Sequence, residues 1–138
     1  MATAAIVLDT NAYSAYRRGT QSVLEAMARA EVVLLPVVVA AELLYGFRGG
    51  SRESENRAEL RAFLAKPSVR FASGTEETAE LFAETKVALR RASTPIPTND
   101  VWVAAHCQEH GATLVTFDRH FLDVPGLRVW PELRTLGA

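Results

Sequence analysis

The chain has 138 residues, a length that fits one domain over residues 1–138 and that can bury a core without disulfides. Its formal net charge of -1 argues against a protein that coats nucleic acid by bulk electrostatics, although it does not exclude an enzyme that grips nucleic acid locally. The single cysteine, Cys107, excludes an intramolecular disulfide and predicts a reducing, cytoplasmic setting. No apolar run approaches the roughly 20 residues that span a bilayer, and the first residues lack the basic segment of a signal peptide.

Short apolar runs alternate with longer helical patterns along the first half of the chain. The continuous apolar run at 4–8 is typical of a buried parallel strand. After it we predict, in order, helices around 12–17 and over 21–30, a strand at 32–35, and a helix from Pro36 to about Tyr45.

The second half of the chain repeats this alternation. We predict, in order, a helix over 51–66, a strand at 69–71, a helix from about Thr75 to Arg91, a helix over 101–110, and strands at 112–116 and 127–130. Thr98, Asn99 or Asp100 can cap the helix over 101–110, and Gly111 closes it.

Strands that alternate with helices indicate an α/β fold. We expect a parallel sheet of about four or five strands, covered on both faces by helices. In such sheets, ligands bind beyond the carboxyl ends of the strands. Residues that directly follow a strand are therefore candidates for a functional site.

Acidic side chains lie at several of these positions. Asp9 ends the first predicted strand, and Asp118 comes just after the strand at 112–116. Asp100 follows a proline-rich extended segment, which also puts it near an edge of the sheet. Glu42 lies within an apolar stretch, where an unpaired carboxylate is costly to bury.

Each acid also has an ordinary structural explanation. Asp9 and Asp100 can be helix caps, Asp118 can be a turn residue, and Glu42 can point to solvent from an amphipathic helix. Taken together, however, carboxylates at one edge repel each other, so they either take up protons or bind cations. Oxygen ligands without a cluster of histidines or cysteines favour Mg²⁺, with Mn²⁺ as the alternative.

Carboxylates that hold a divalent ion suit phosphodiester hydrolysis, which needs an activated water and relief of charge on the leaving oxygen. We expect Asp9 and Asp100 to be direct ligands, and Glu42 and Asp118 to complete the shell. Hydrogen bonds that would hold these carboxylates in place are available from Thr10, Asn11 and Thr116.

Five segments in order along the chain resemble the PIN-domain family, specifically the VapC toxins of toxin–antitoxin pairs. The segments are 6–11 (IVLDTN), 41–46 (AELLYG), 97–105 (PTNDVWVAA), 114–121 (LVTFDRHF) and 124–129 (VPGLRV). The resemblance implies a three-layer α/β/α sandwich, Mg²⁺-dependent endoribonuclease activity, a cognate antitoxin and a homodimer. It implies that the four acidic positions of the family are matched by Asp9, Glu42, Asp100 and Asp118, and its supporting hydroxyl by Thr116.

The competing interpretation is a catalytically inactive PIN-like interaction module, against which the four intact acids argue. An aspartyl-phosphate phosphatase would need a second aspartate at the position of Asn11. Among the histidines, His106 and His110 are four residues apart on one predicted helix, but the sequence shows no clear third ligand for a metal. His120 is close enough to Asp118 to contact a substrate phosphate.

Overall fold

A four-stranded parallel sheet lies at the centre of the fold. The computed structural model describes residues 3–130, and its strands follow the spatial order β3-β2-β1-β4. Their bounds are β1 Thr3–Leu8, β2 Ala30–Pro36, β3 Val69–Ala72 and β4 Thr113–Val115. The α/β prediction is confirmed, with four strands.

Six α-helices flank this sheet and give the predicted three-layer α/β/α arrangement. They are α1 Thr10–Arg17, α2 Gln21–Arg29, α3 Val37–Phe47, α4 Glu53–Leu64, α5 Glu76–Arg91 and α6 Thr98–His110. A short 3-10 helix, Arg119–Asp123, follows β4. In the part of the chain that the structure describes, no helix is long and apolar enough to cross a membrane.

The sheet is most deeply buried at β1, which pairs with strands on both sides. Ile6 is in register with Val33 of β2 and with Thr113 of β4. Ile6 and Leu8 are completely buried, which explains the unbroken apolar run in this segment. The carboxyl ends of β1 and β4 therefore lie side by side at one edge of the sheet. Asp9 directly follows β1 there, and Thr116 directly follows β4.

Three predicted boundaries are wrong. The predicted strand at 127–130 is a single parallel bridge between Leu114 and Val129, because β4 itself has only three residues to pair with. Helix α6 begins at Thr98 with Pro97 at its N-cap, so Asp100 lies inside the first turn and is not the cap. Pro36 ends β2 and occupies the N-cap of α3, one position before the first turn.

The helices α5 and α6 pack against each other and fix the direction of α6. The rings of Phe82 and Trp102 are stacked between them, with centroids 4.1 Å apart. This packing holds the N-terminal turn of α6, which carries Asp100, against the edge of the sheet. The prediction of one domain over residues 1–138 extends beyond the described residues at both ends and stays a prediction.

Candidate active site

A cleft of about 500 Å³ opens at the carboxyl edge of the sheet. All four predicted acids line it, together with the predicted supporting residues Thr10 and Asn11. Its lining is Asp9, Thr10, Asn11, Glu42, Pro97, Thr98, Asn99, Asp100 and Asp118. This position agrees with the expectation that parallel sheets bind ligands beyond their strand ends.

Asp9 is the most buried of the four carboxylates, with 4% of its surface exposed. It follows β1 directly and is the N-cap of α1, because its Oδ1 accepts a hydrogen bond from the Ala12 backbone N–H at 2.8 Å. Its Oδ2 accepts a hydrogen bond from the Thr116 hydroxyl. The capping explanation is therefore confirmed, and it leaves a site role open, since one oxygen caps the helix and the other lies on the side of β4.

Burial raises the pKa of Asp9 to about 6. Desolvation of the carboxylate is the largest cause, and the negative charges of Asp100 and Asp118 act in the same direction. The hydrogen bonds from Thr116 and Ala12 oppose the rise in pKa, because they stabilise the ionised form. The protein therefore holds Asp9 in a position where a cation would stabilise its charge.

Thr116 joins Asp9 to Asp118. It follows β4, is 2% exposed, and its hydroxyl donates to Asp9 while accepting the backbone N–H of Asp118 at 3.0 Å. A hydroxyl both donates and accepts, so one side chain orients two parts of the site. The hydrogen bond that Thr116 was predicted to make to an acid of the cleft is therefore present, and Asp9 accepts it.

Glu42 reaches the cleft from the apolar helix α3. Its Oε1 accepts a hydrogen bond from the Thr10 hydroxyl at 3.0 Å, and the side chain is half-buried. The neighbouring Leu43 and the preceding Val39 lie in the core. The helix thus buries its apolar side while the acid faces the cleft, which explains a carboxylate within an apolar stretch.

Asp100 and Asp118 lie on either side of His120. The His120 Nε2 is 2.7 Å from Asp100 Oδ2, and its Nδ1 is 3.5 Å from Asp118 Oδ1. Burial raises the pKa of Asp100, the charges of Asp118 and Glu42 add to the rise, and His120 opposes it. Charges of neighbouring acids in the cleft therefore contribute to the raised pKa values of both Asp9 and Asp100.

His120 has a more central position than the sequence indicated. The sequence suggested a phosphate contact, whereas the structure places its ring between two of the predicted acids. One ligand atom from each of Asp100, Asp118 and His120 lie within 4.8 Å of one another. The sequence pointed to this histidine only through its position two residues after Asp118. In the structure His120 lies on the short 3-10 helix, and Asp118 is the N-cap of that helix.

Asn11 lines the cleft, but its side chain is exposed. Within residues 3–130, the structure shows no hydrogen bond from its carboxamide to any of the four carboxylates. The predicted supporting hydrogen bonds are thus present for Thr10 and Thr116 and absent for Asn11 in this part of the chain.

The donor set of the cleft fits a divalent cation. Carboxylate oxygens converge with one imidazole nitrogen, and two of the carboxyl groups have raised pKa values because their charges are close and poorly hydrated. Oxygen-rich sites of this kind suit Mg²⁺ or Mn²⁺. The residues that would hold the ion are Asp9, Glu42, Asp100 and Asp118, with His120 as an additional ligand.

Comparison with known proteins gives consistent matches over most of the chain. The PIN domain family model matches residues 6–127. Ribonuclease VapC2 of Rickettsia felis is 26% identical over 126 residues, which cover 88% of this chain and 92% of that protein. The solved structure of VapBC2 from Rickettsia felis, bound to a promoter DNA fragment, has a TM-score of 0.79 at 23% identity, and VapBC-1 from nontypeable Haemophilus influenzae has 0.78 at 18%. Both matches cover 91% of this chain and 96% of the other chain, and they show a shared fold.

Proposed function

This chain belongs to the PIN-domain family, and from that premise we propose that it is a Mg²⁺-dependent endoribonuclease, the toxin of a type II toxin–antitoxin pair. The observation that carries the proposal is the convergence of Asp9, Glu42, Asp100 and Asp118 on one cleft at the carboxyl edge of the sheet. The similar Ribonuclease VapC2 supports the assignment of the reaction class.

The four acids have different roles in the proposed metal binding. Asp9 and Asp100 are direct ligands, because both are held by the fold with carboxyl groups whose pKa values are raised in the absence of a cation. Glu42 and Asp118 complete the shell, directly or through water. A bound Mg²⁺ or Mn²⁺ supplies an activated water and stabilises charge on the leaving oxygen of the phosphodiester.

The other residues of the cleft orient these ligands. Thr10 fixes the carboxylate of Glu42, and Thr116 fixes that of Asp9. Asn11 has no hydrogen bond to the acids within the described part of the chain, so its carboxamide is free to bind RNA or a metal-bound water. The half-buried ring of His120 lies between the carboxylates of Asp100 and Asp118 and can orient both.

The proposed partners are an RNA substrate, a cognate antitoxin and a second copy of this chain. The similar solved structures are VapBC complexes, which supports an antitoxin partner. A buried free thiol at Cys107 is compatible with a reducing cytoplasm, where we propose that the protein acts.

The test is cleavage of total RNA by the purified, antitoxin-free protein, with Mg²⁺ or with EDTA. We expect discrete fragments that require Mg²⁺, and an Asp100→Asn variant should cleave at least about 100-fold more slowly because a direct ligand is lost. The matched control is Asp123→Asn, an exposed acid that does not line the cleft and should retain activity. Absence of cleavage by a folded protein that binds Mg²⁺ would instead support an inactive interaction module.

A further inference from the structure

A second group of metal-ligand side chains lies at the other end of α6. His106, Glu109 and His110 occupy positions i, i+3 and i+4 of the helix, so they lie on one face. One ligand atom from each lie within 4.8 Å of one another. His106 is six residues from Asp100, or about 9 Å along the helix axis, so this group is separate from the acidic cleft.

We propose that His106, Glu109 and His110 form a zinc site. Two imidazole nitrogens and one carboxylate oxygen are a donor set that favours Zn²⁺ over Mg²⁺. Three protein ligands leave a fourth, tetrahedral position for water. The sequence had indicated the two histidines, and the structure supplies the third ligand that was missing.

His106 is prepared for such a role by its surroundings. The residue is 2% exposed, and its Nδ1 has no hydrogen-bond partner among the described residues. Buried polar atoms in proteins are nearly always satisfied, so an unpartnered ring nitrogen in this position needs an explanation. Burial also lowers the pKa of His106.

Glu109 is held in place by two hydroxyl groups from the start of α5. Its Oε2 accepts a hydrogen bond from Thr75 at 2.6 Å, and its Oε1 accepts one from Thr78. Burial opposes ionisation, but these hydrogen bonds and the nearby histidines lower the pKa of Glu109 overall. Hydrogen bonds of this kind orient the carboxylates of metal sites, and the Oε1 is 3.8 Å from His110 Nε2.

The cluster is also accessible. The side chain of His110 is 40% exposed, and His106 lines a cavity of about 410 Å³ beside Gly74, Thr75 and Thr78. Gly74 has φ +99°, and a Cβ there would lie 3.6 Å from His106 Cε1. Glycine is favoured here by this positive φ and not by the histidine, since a Cβ at 3.6 Å would make only an ordinary van der Waals contact. A bound zinc ion would have its three protein ligands near the end of α6, and Glu109 would connect it to the start of α5 through the hydroxyl groups of Thr75 and Thr78.

The experiment must separate this site from the acidic cleft, where Asp100, Asp118 and His120 are also able to bind zinc. The background protein is therefore the full chain with Asp118→Asn and His120→Ala. Isothermal titration with Zn²⁺ should give one ion per chain in this background. Adding His110→Ala should weaken zinc binding at least about 100-fold, and Co²⁺ should give a visible absorption band that the added substitution removes.

Two further variants control for folding and for surface charge. Glu109→Gln should weaken zinc binding as His110→Ala does, whereas Glu84→Gln, an exposed acid on α5, should leave it unchanged. Circular dichroism checks that each variant is folded. The proposal is overturned if the background protein binds no zinc, or if His110→Ala and Glu109→Gln bind zinc as tightly as the background. Either result leaves the nuclease proposal intact, because that rests on Mg²⁺ and the other site.

Discussion

Thr116 is a single buried hydroxyl group on which two acids of the cleft depend. We expect Thr116→Val, which keeps the size of the side chain, to raise the pKa of Asp9 further, because the hydrogen bond that lowers this pKa is lost. Mg²⁺ affinity should fall by about 10–100-fold, as is usual when a group that orients a ligand is removed. Titration calorimetry with Mg²⁺ measures the change.

Thr113→Val is the matched control for this substitution. Thr113 lies on the same strand, β4, and its side chain does not line the cleft. Its replacement should leave Mg²⁺ affinity unchanged. If both variants bind Mg²⁺ like the original chain, Thr116 has only a packing role.

On the proposed function, we predict that His120 affects the relative affinity of the cleft for Mn²⁺ and Mg²⁺. Imidazole nitrogen binds Mn²⁺ in preference to Mg²⁺, which favours oxygen ligands. We therefore expect His120→Ala to lower the affinity for Mn²⁺ by about 10-fold more than the affinity for Mg²⁺. The ratio of the two affinities is the proper measurement, because loss of His120 also raises the pKa of Asp100, and that change affects both ions equally.

Asp123→Asn provides the comparison, since it changes an exposed acid outside the cleft. Its ratio of Mn²⁺ to Mg²⁺ affinity should equal that of the original chain. An unchanged ratio in His120→Ala would mean that the ring only positions Asp100 and Asp118 and does not bind the ion.

The helix termini show how local chemistry fixes an element. Thr75 accepts the backbone N–H of Thr78 at 3.4 Å, and Thr78 accepts the backbone N–H of Thr75 at 2.8 Å, which forms a capping box at the start of α5. Thr20 is the N-cap of α2 but makes no such side-chain bond. We expect Thr75→Ala to lower the free energy of unfolding by about 1–2 kcal/mol, and Thr20→Ala by less than about 0.5 kcal/mol. Urea unfolding followed by far-UV circular dichroism measures both; equal losses would contradict the capping assignment.

The same chemistry explains which elements the sequence could predict. The start of α5 was predicted near Thr75 because Glu76 and Glu77 favour a helix N-terminus by charge and Thr75 is followed three residues later by Thr78. The start of α6 was placed three residues late, because Thr98, Asn99 and Asp100 are all good caps and local rules do not choose among them. In the structure none of the three is the cap, because the helix begins one residue earlier, with Pro97 at its N-cap and no side-chain capping bond.

For the candidate site too, the sequence predicted the features that depend on local structure and missed the contacts between distant segments. Asp9 and Asp118 were predicted at one edge because each follows a strand, and strand ends in a parallel sheet share an edge. The contacts of His120 with Asp100 and of Glu109 with Thr75 join segments far apart in the chain. Both depend on the packing of α6, which the apolar pattern alone does not determine.

At the scale of the whole molecule, the burial of acids in the cleft should lower the stability of the metal-free protein at neutral pH, and the proposed metal binding would offset this loss. Burial raises the pKa of Asp9 from its ordinary 3.8 to about 6, so the folded protein without metal binds a proton that the unfolded chain releases. The stability that this proton provides is fully present below about pH 4 and is lost as the pH rises through about 6. Since one pKa unit corresponds to about 1.4 kcal/mol, the loss from Asp9 is roughly 2–3 kcal/mol, and the raised pKa of Asp100 acts in the same direction.

We therefore expect the melting temperature of the metal-free protein to fall between about pH 4 and pH 7 as this proton is released, and millimolar Mg²⁺ to remove most of the fall by binding only the folded state. Asp9→Asn should be more stable than the original chain at neutral pH without metal, because it removes a buried charge. Its amide oxygen can still accept the hydrogen bond from Ala12, and its NH₂ group can donate to the Thr116 hydroxyl in place of the bond that the carboxylate accepts. It should also lose most of the response to Mg²⁺, whereas the exposed-acid control Asp123→Asn should keep it. Scanning calorimetry of the three proteins with Mg²⁺ or EDTA measures these differences.

A destabilised Asp9→Asn would mean that the hydrogen bonds accepted by the Asp9 carboxylate outweigh its burial and repulsion. The ionised Asp9 would then not lower the free energy of unfolding, and Mg²⁺ should raise the melting temperature of the original chain only slightly.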